Sequence, residues 1–260
     1  MEPDRTIGDS AEYLSRTNGG LTLYDGARLS GEVPPEAQGW LAFAGYAAAR
    51  RSVGGVTRIR SVRGLPGGYS NYELRDGALR VVNAKFPSLD EIRGFTIEFA
   101  VALLAEDHDN SDKNGDSIGD RAGLSVLVVT EHLKAIELAF WNDDPDPRMR
   151  DRIWAQEDGS SVPPTGALFT HTAEGAWFDT SALTEYRLSV RKDGYSLSAG
   201  ISTTPILAGQ LRDYTAFDTR DHHAKMTFNP YRTRNYFFLG DDTQSACAEV
   251  ILKSIRLITH

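Results

Sequence analysis

The chain has 260 residues, 40% of them hydrophobic and 25% charged, and its 36 acidic against 28 basic side chains give a formal charge of -8. A chain of this length buries roughly 70–75% of the surface its unfolded form exposes and needs no covalent staple; the acidic balance excludes a duplex-binding protein held by phosphate contacts. The single cysteine, Cys247, excludes an internal disulfide framework and a cysteine zinc cluster, and no apolar run reaches the roughly 20 residues of a membrane-spanning helix.

The N-terminus, Met1-Glu2-Pro3-Asp4-Arg5, carries no basic stretch followed by an apolar one. That predicts a cytoplasmic protein, or an extracellular one if a preceding export segment has been removed. Residues 1–20 read as a weakly structured leader with a helical turn or two over Asp9–Arg16, and 21–260 as a single domain. Early strands are expected at Leu21–Tyr24, Trp40–Phe43, Val56–Val62, Tyr69–Leu74 and Leu79–Val82. The clearest period-two run follows, with Phe95, Ile97, Phe99, Val101 and Leu103 on one side and Thr96, Glu98, Ala100 and Ala102 on the other. Such alternation marks half-buried strands. Further strands are expected at Leu124–Val129, Ala135–Trp141, Arg152–Gln156, Tyr186–Val190, Tyr195–Ala199, Tyr236–Leu239 and Ala248–Leu257, with a hairpin through Lys192-Asp193-Gly194 and a short helix near Leu211–Phe217. Many short strands between turn signals specify an all-β sandwich or barrel, little helix, and a last strand lying beside an early one. The long loops Asp143–Arg150 and Asp218–Arg234 (with His222-His223) are candidates for function. Arg50, Arg51, Arg58, Arg60 and Arg63 read as a charged, protected edge.

From Glu106 to Asp120 six carboxylates stand against one lysine. Asp112, Asn114, Asp116 and Asp120 occupy positions 1, 3, 5 and 9 of a loop that Gly115 lets turn, and the Ile118 carbonyl falls where a backbone ligand is expected. Hard oxygen donors point to calcium. Position 12 is Gly123, so Asp107 or Asp109 would supply the remaining oxygens. The alternative is a solvated acidic turn without metal.

Strand alternation also assembles a second face. Glu98, Glu137, Trp141, Arg152, Trp154 and Gln156 fall on the sides opposite the purely apolar sets. Small residues as floor, aromatic walls and polar groups are the elements of a binding groove. Tryptophan rings stack on sugars and other flat rings. Glu98 and Glu137 are the candidate carboxylate pair for general acid and nucleophile or base. The competing reading makes Glu137 one half of a structural ion pair, with Arg121 or Arg152 as its partner, and the tryptophans packing residues.

Three segments carry a family resemblance: Asp120-Arg121-Ala122-Gly123-Leu124-Ser125-Val126, Ala135-Ile136-Glu137-Leu138-Ala139-Phe140-Trp141 and Arg152-Ile153-Trp154-Ala155-Gln156. Together with the tail Phe237-Phe238-Leu239-Gly240-Asp241-Asp242-Thr243, they resemble the bacterial choice-of-anchor Y domains over roughly residues 36–258. The tail also resembles the closing strand of concanavalin A-like lectin/glucanase jelly rolls. The resemblance implies two antiparallel sheets with ligands bound across a concave face. Its relatives are secreted and surface-anchored.

Three functions follow as expectations. The first is a calcium-stabilised, lectin-like domain that binds a glycan or other small ligand through Trp141, Arg152, Trp154 and Gln156. The second is an enzyme using Glu98 and Glu137, as a glycoside hydrolase, a lyase or a cytoplasmic cyclase of an apolar substrate. The third is a structural or interaction module. No nucleic acid and no membrane span is expected, and the sequence leaves the oligomeric state open.

Overall fold

Period-two sequence becomes strand over most of the chain. The computed structural model describes residues 16–17, 20–45, 49–77, 79–108, 111–142, 147–148, 150–159, 168–217 and 228–260. In chain order the strands are β1 (Arg16–Thr17), β2 (Gly20–Asp25), β3 (Ala42–Gly45), β4 (Ala49–Val53), β5 (Val56–Arg60), β6 (Gly67–Ser70), β7 (Tyr72–Arg75), β8 (Leu79–Val82) and β9 (Phe95–His108). They continue as β10 (Leu124–Val129), β11 (Ala135–Phe140), β12 (Arg152–Asp158), β13 (Leu168–Trp177), β14 (Thr184–Arg191), β15 (Gly194–Ala199), β16 (Leu207–Gln210), β17 (Tyr236–Asp241) and β18 (Ala246–Thr259). The helical segments among the described residues are short 3-10 turns.

Two antiparallel sheets face each other. One runs β1-β2-β18-β9-β14-β15-β16, with the β4–β5 hairpin also paired to β18; the other runs β13-β12-β11-β10-β17-β6-β3; β7 and β8 form a separate ribbon. The closing strand β18 lies beside the early strands β2 and β5 and along β9 from Phe95 to His108. The hairpin through Lys192-Asp193-Gly194 forms as expected.

The purely apolar sides meet in the middle. Ile97, Phe99, Val101 and Leu103 of β9, Leu188 of β14 and Leu252, Ile255 and Leu257 of β18 pack against Val126, Val128, Ile136, Leu138, Phe140, Phe237 and Leu239 of the opposite sheet. Phe99 stacks on Tyr186 at 5.3 Å, and Phe140 meets Tyr186 edge-on at 5.4 Å. Each such side chain contributes about 1.5–3 kcal/mol by leaving water. The alternation that defined one side as core is therefore the feature that holds the sandwich together.

Four strands were not anticipated: β1, β4, β13 and β16. The expected strand Tyr69–Leu74 breaks at Asn71, whose amide nitrogen donates to the Asn235 carbonyl (2.8 Å) while its oxygen accepts from the Phe237 amide (3.0 Å). The helix expected over Leu211–Phe217 shrinks to a 3-10 turn, Tyr214–Ala216, capped by Asp213. Of residues 1–20 only Arg16, Thr17 and Gly20 are described, so the leader and most of its helical turn lie outside the described residues. Three arginines of the stripe are paired: Arg50 with Glu36 at 2.8 Å, Arg58 with Glu249 and Arg63 with Asp107 at 3.0 Å. No helix among the described residues is long and apolar enough to cross a membrane.

Candidate functional site

The outer face of the β13-β12-β11-β10-β17 sheet carries the predicted groove residues. Ala135, Glu137 and Ala139 project from β11, Leu127 and Val129 from β10, Arg152, Trp154 and Gln156 from β12, and Tyr236 and Phe238 from β17, all opposite the core set. This face is largely covered. The 3-10 turns Tyr214–Ala216 and Pro230–Arg232 bring Tyr214 and Tyr231 over it, where they meet Phe169 of β13 at 5.6 and 4.9 Å. Asp213 and Asn229 shape those turns by accepting the amide protons of Thr215 and Tyr231.

Beneath the cover lies a charged network. Glu137 is fully buried. The Tyr231 hydroxyl donates to its Oε2 at 2.7 Å, and Arg121 reaches its Oε1 with Nη1 (3.3 Å) and Asp242 with Nη2 (3.0 Å). The Arg121 guanidinium also lies 4.9 Å from the Phe169 ring centre. Burial pushes the Glu137 carboxyl well above the usual carboxylate range, and the nearby Asp242 charge adds to this more than Arg121 offsets. Burial alone would lower the Arg121 guanidinium, but Asp242 and Glu137 outweigh it. The ion-pair reading of Glu137 with Arg121 is the one realised.

Tyr214 supplies a second structural device. The β11–β12 ladder runs from Phe140↔Ile153 to Leu138↔Ala155. Beyond it the Tyr214 hydroxyl takes the ladder's place, accepting from the Glu137 amide (3.4 Å) and donating to the Gln156 carbonyl (2.6 Å). Tyr214→Phe therefore leaves two buried main-chain groups without partners. The expected loss is about 2–4 kcal/mol, read from denaturant unfolding; a loss under about 0.5 kcal/mol would mean the strands close up unaided.

Several predicted roles are corrected. Glu98 is in the other sheet: it lies on β9 opposite Arg187 of β14, its carboxylate held by Arg187 (3.3 Å) and Arg256 (3.5 Å). Glu98 and Glu137 thus occupy the two opposite outer faces of the sandwich and form no catalytic pair. Alternation fixes the side of a strand, not the sheet it joins. Trp141 is no ligand platform, because it is fully buried against Ala122, Ala139, Ile118 and Trp154. Gln156 is likewise buried; with its side-chain amide turned to place the nitrogen toward them, it donates to the carbonyls of Phe169 (2.5 Å) and Asp120 (3.3 Å), an orientation assigned from those acceptors that ties the irregular β12–β13 pairing to the acidic loop.

Among the described residues, the predicted calcium ligands are engaged largely by the loop's own backbone. The largely exposed Asp107 turns to Arg63. Asp112 accepts amide protons from Gly115 (2.6 Å), Asp116 (3.2 Å) and Ser117 (2.8 Å), so its oxygens cap the loop's own backbone. Asn114 accepts from and donates to Asp116. Asp116 accepts from the Ile118 amide (2.8 Å) and pairs with His171 (3.0 Å), while buried Asp120 accepts from the Lys113 amide. Asp109 lies outside the described residues, as do His222 and His223. Among the described residues, the loop carboxylates do not gather around one point.

What remains accessible is a row at the edge of the same face. Arg152 of β12 pairs in register with Trp177 of β13. Its guanidinium lies 3.6 Å from the centre of the Trp177 ring and 4.9 Å from that of Trp154, which in turn packs on His171 at 4.9 Å. Trp177 is 58% exposed. Trp154 lies against Gly175, where a Cβ would fall 2.2 Å from its ring carbon Cε3. Trp177 was not foreseen because β13 has no apolar alternation; the one signal was a tryptophan two residues after a glycine in a polar stretch.

No protein-family model matches the sequence, and comparison with curated proteins finds no match. Solved structures do match over nearly the whole chain. The carbohydrate esterase vb_24B_21 from Shiga toxin-encoding bacteriophage phi24B is 10% identical with a TM-score of 0.50, covering 93% of this chain and all of that one. The exoplasmic/lumenal domain of VIP36, bound to Ca2+ and Man2, is 12% identical (TM-score 0.48; 94% and 90% covered), and the potassium-bound carbohydrate recognition domain of Emp46p is 10% identical (0.45; 91% and 95%). The likeness is one of fold alone: a sandwich of two antiparallel sheets.

Proposed function

We propose that the chain is a lectin-like binding domain whose platform is the Trp154–Arg152–Trp177 row, taking a glycan or a similarly flat, hydroxylated ring. The observation that carries this reading is the exposed Trp177 held by a guanidinium on one face. A ring fixed from one side is a low-entropy stacking surface on the other, and the edges of Arg152 supply donors for hydroxyls. A solved structure of similar fold is described as a carbohydrate esterase, which supports a carbohydrate as the ligand class. Glu137 acts in this reading as a support for the aromatic cover, since Arg121, Tyr231 and Tyr214 enclose it. Calcium is no part of the platform.

A glycan array followed by calorimetry on the best binder tests this. Trp177→Ala should weaken binding by about 1–3 kcal/mol, taking the transfer value of a large side chain, while leaving the melting temperature nearly unchanged. Gly175→Ala should weaken binding without removing any aromatic group, because the added methyl displaces Trp154. Equal affinity in all three proteins would place the ligand elsewhere, and an empty array would favour an interaction module.

A further inference from the structure

A second polar site lies away from the platform, where the segment between β8 and β9 meets the turn between β10 and β11. Asp90 and Glu91 come from the first, His132 from the second, and one ligand atom from each lies within 4.8 Å of the others. We propose that these three residues bind a first-row divalent cation of the zinc type.

The argument rests on Glu91. Its side chain is 5% exposed, and His132 Nδ1 stands 3.0 Å from its Oε1. That pair accounts for one oxygen only. The other, Oε2, is buried with no hydrogen-bond partner. A buried carboxylate oxygen facing no donor is costly, and a cation between Glu91, Asp90 and His132 removes that cost. Asp90 is held in place by its own neighbours. Its Oδ1 accepts the amide protons of Ile92 (2.9 Å) and Arg93 (3.2 Å), and Arg93 Nε lies 3.3 Å from its Oδ2.

Both segments are anchored by main-chain bonds. The Glu131 amide donates to the Leu89 carbonyl (3.1 Å) and the Lys192 amide to the Glu91 carbonyl (2.5 Å). The donor chemistry selects the metal. One imidazole nitrogen with two carboxylate oxygens suits zinc, manganese or iron(II) better than calcium, which takes oxygen cages. Ligand bonds of about 2.0–2.2 Å put neighbouring zinc ligands roughly 3.3 Å apart in a tetrahedron, so small side-chain rotations close the present 4.8 Å limit. The half-exposed His132 leaves the fourth position to water.

The test uses the full chain stripped with chelator and titrated with zinc chloride alone, read by calorimetry and by thermal unfolding. One ion per chain and a rise in melting temperature of several degrees are expected. Glu91→Gln and His132→Ala should each lower zinc affinity at least tenfold and remove the rise. Asp116→Ala, in the acidic loop, should keep both. His132→Ala also removes the partner of Glu91 Oε1, so each variant's rise is measured from its own metal-free melting temperature and the calorimetric affinity decides. Absence of binding at millimolar zinc, binding that survives both substitutions, or binding lost only in Asp116→Ala overturns the proposal.

Discussion

Arg121→Met is expected to lower the melting temperature by on the order of 10 °C. Arg121 is buried, and its two nitrogens face Glu137 at 3.3 Å and Asp242 at 3.0 Å. Methionine fills much of the same volume but leaves both carboxylates without a cation. Breaking a buried pair in this way costs about 3–5 kcal/mol, and each kcal/mol moves the transition of a chain this size by roughly 2–4 °C. The double variant Arg121→Met/Glu137→Gln should recover a large part of the loss, because the buried carboxyl that has lost its Arg121 partner is then an amide that cannot ionise. Arg187→Met is the matching control on the opposite outer face. There the guanidinium meets Glu98 and Glu185 while partly solvated, so the change should cost under about 1 kcal/mol. Similar losses in the two variants would mean that Arg121 acts through packing on Phe169 rather than through charge.

The same residues explain which parts of the molecule the sequence carries openly. Strand β9 alternates because one of its faces lies in the core, although it runs five residues beyond the expected Leu103, and the expected limits of β10 and β11 agree closely with the observed ones. The unanticipated strands are peripheral. β4 is an exposed hairpin arm of Ala-Arg-Arg-Ser-Val, and β13 and β16 are edge strands of their sheets. An edge strand has less apolar surface to cover, so periodicity fades there. The groove residues of β11 and β12 were placed on the right face by period alone. Their burial was not legible, because the cover comes from Tyr214 and Tyr231, which sit 77 and 94 positions from Glu137 in the chain. The acidic loop shows a related limit. Spacing shows where carboxylates recur, but not whether their oxygens face a common centre or the loop's own amides, as those of Asp112 do.

Stability is expected to fall as the pH rises from about 5 to 8, through two buried carboxyls. Asp241 ends β17 almost fully buried, and burial pushes its carboxyl up to about 7. Glu137 is raised in the same direction by burial and by Asp242. A carboxyl raised in the folded state holds its proton more tightly there than in the unfolded chain, where it titrates near 4. Its contribution is therefore complete below about pH 4 and is lost as the pH rises through the folded value. At about 1.4 kcal/mol per unit, Asp241 alone has a ceiling of roughly 4 kcal/mol. The exposed Asp112 and Asp179 are lowered by hydrogen bonds and work in the opposite sense, but their window lies below pH 4 and leaves the neutral range to the buried pair. Asp241→Asn isolates the effect. The amide oxygen keeps the proton of the Thr243 amide, now 3.0 Å from Oδ1, and the nitrogen replaces the unpartnered Oδ2 with a group that does not ionise. Melting temperatures measured at intervals from pH 5 to 9 should decline by several degrees in the wild type and much less in Asp241→Asn, with the curves furthest apart near pH 8. Parallel curves would mean that Asp241 ionises in the folded state no later than in the unfolded chain, and that its burial is relieved by water reaching Oδ2.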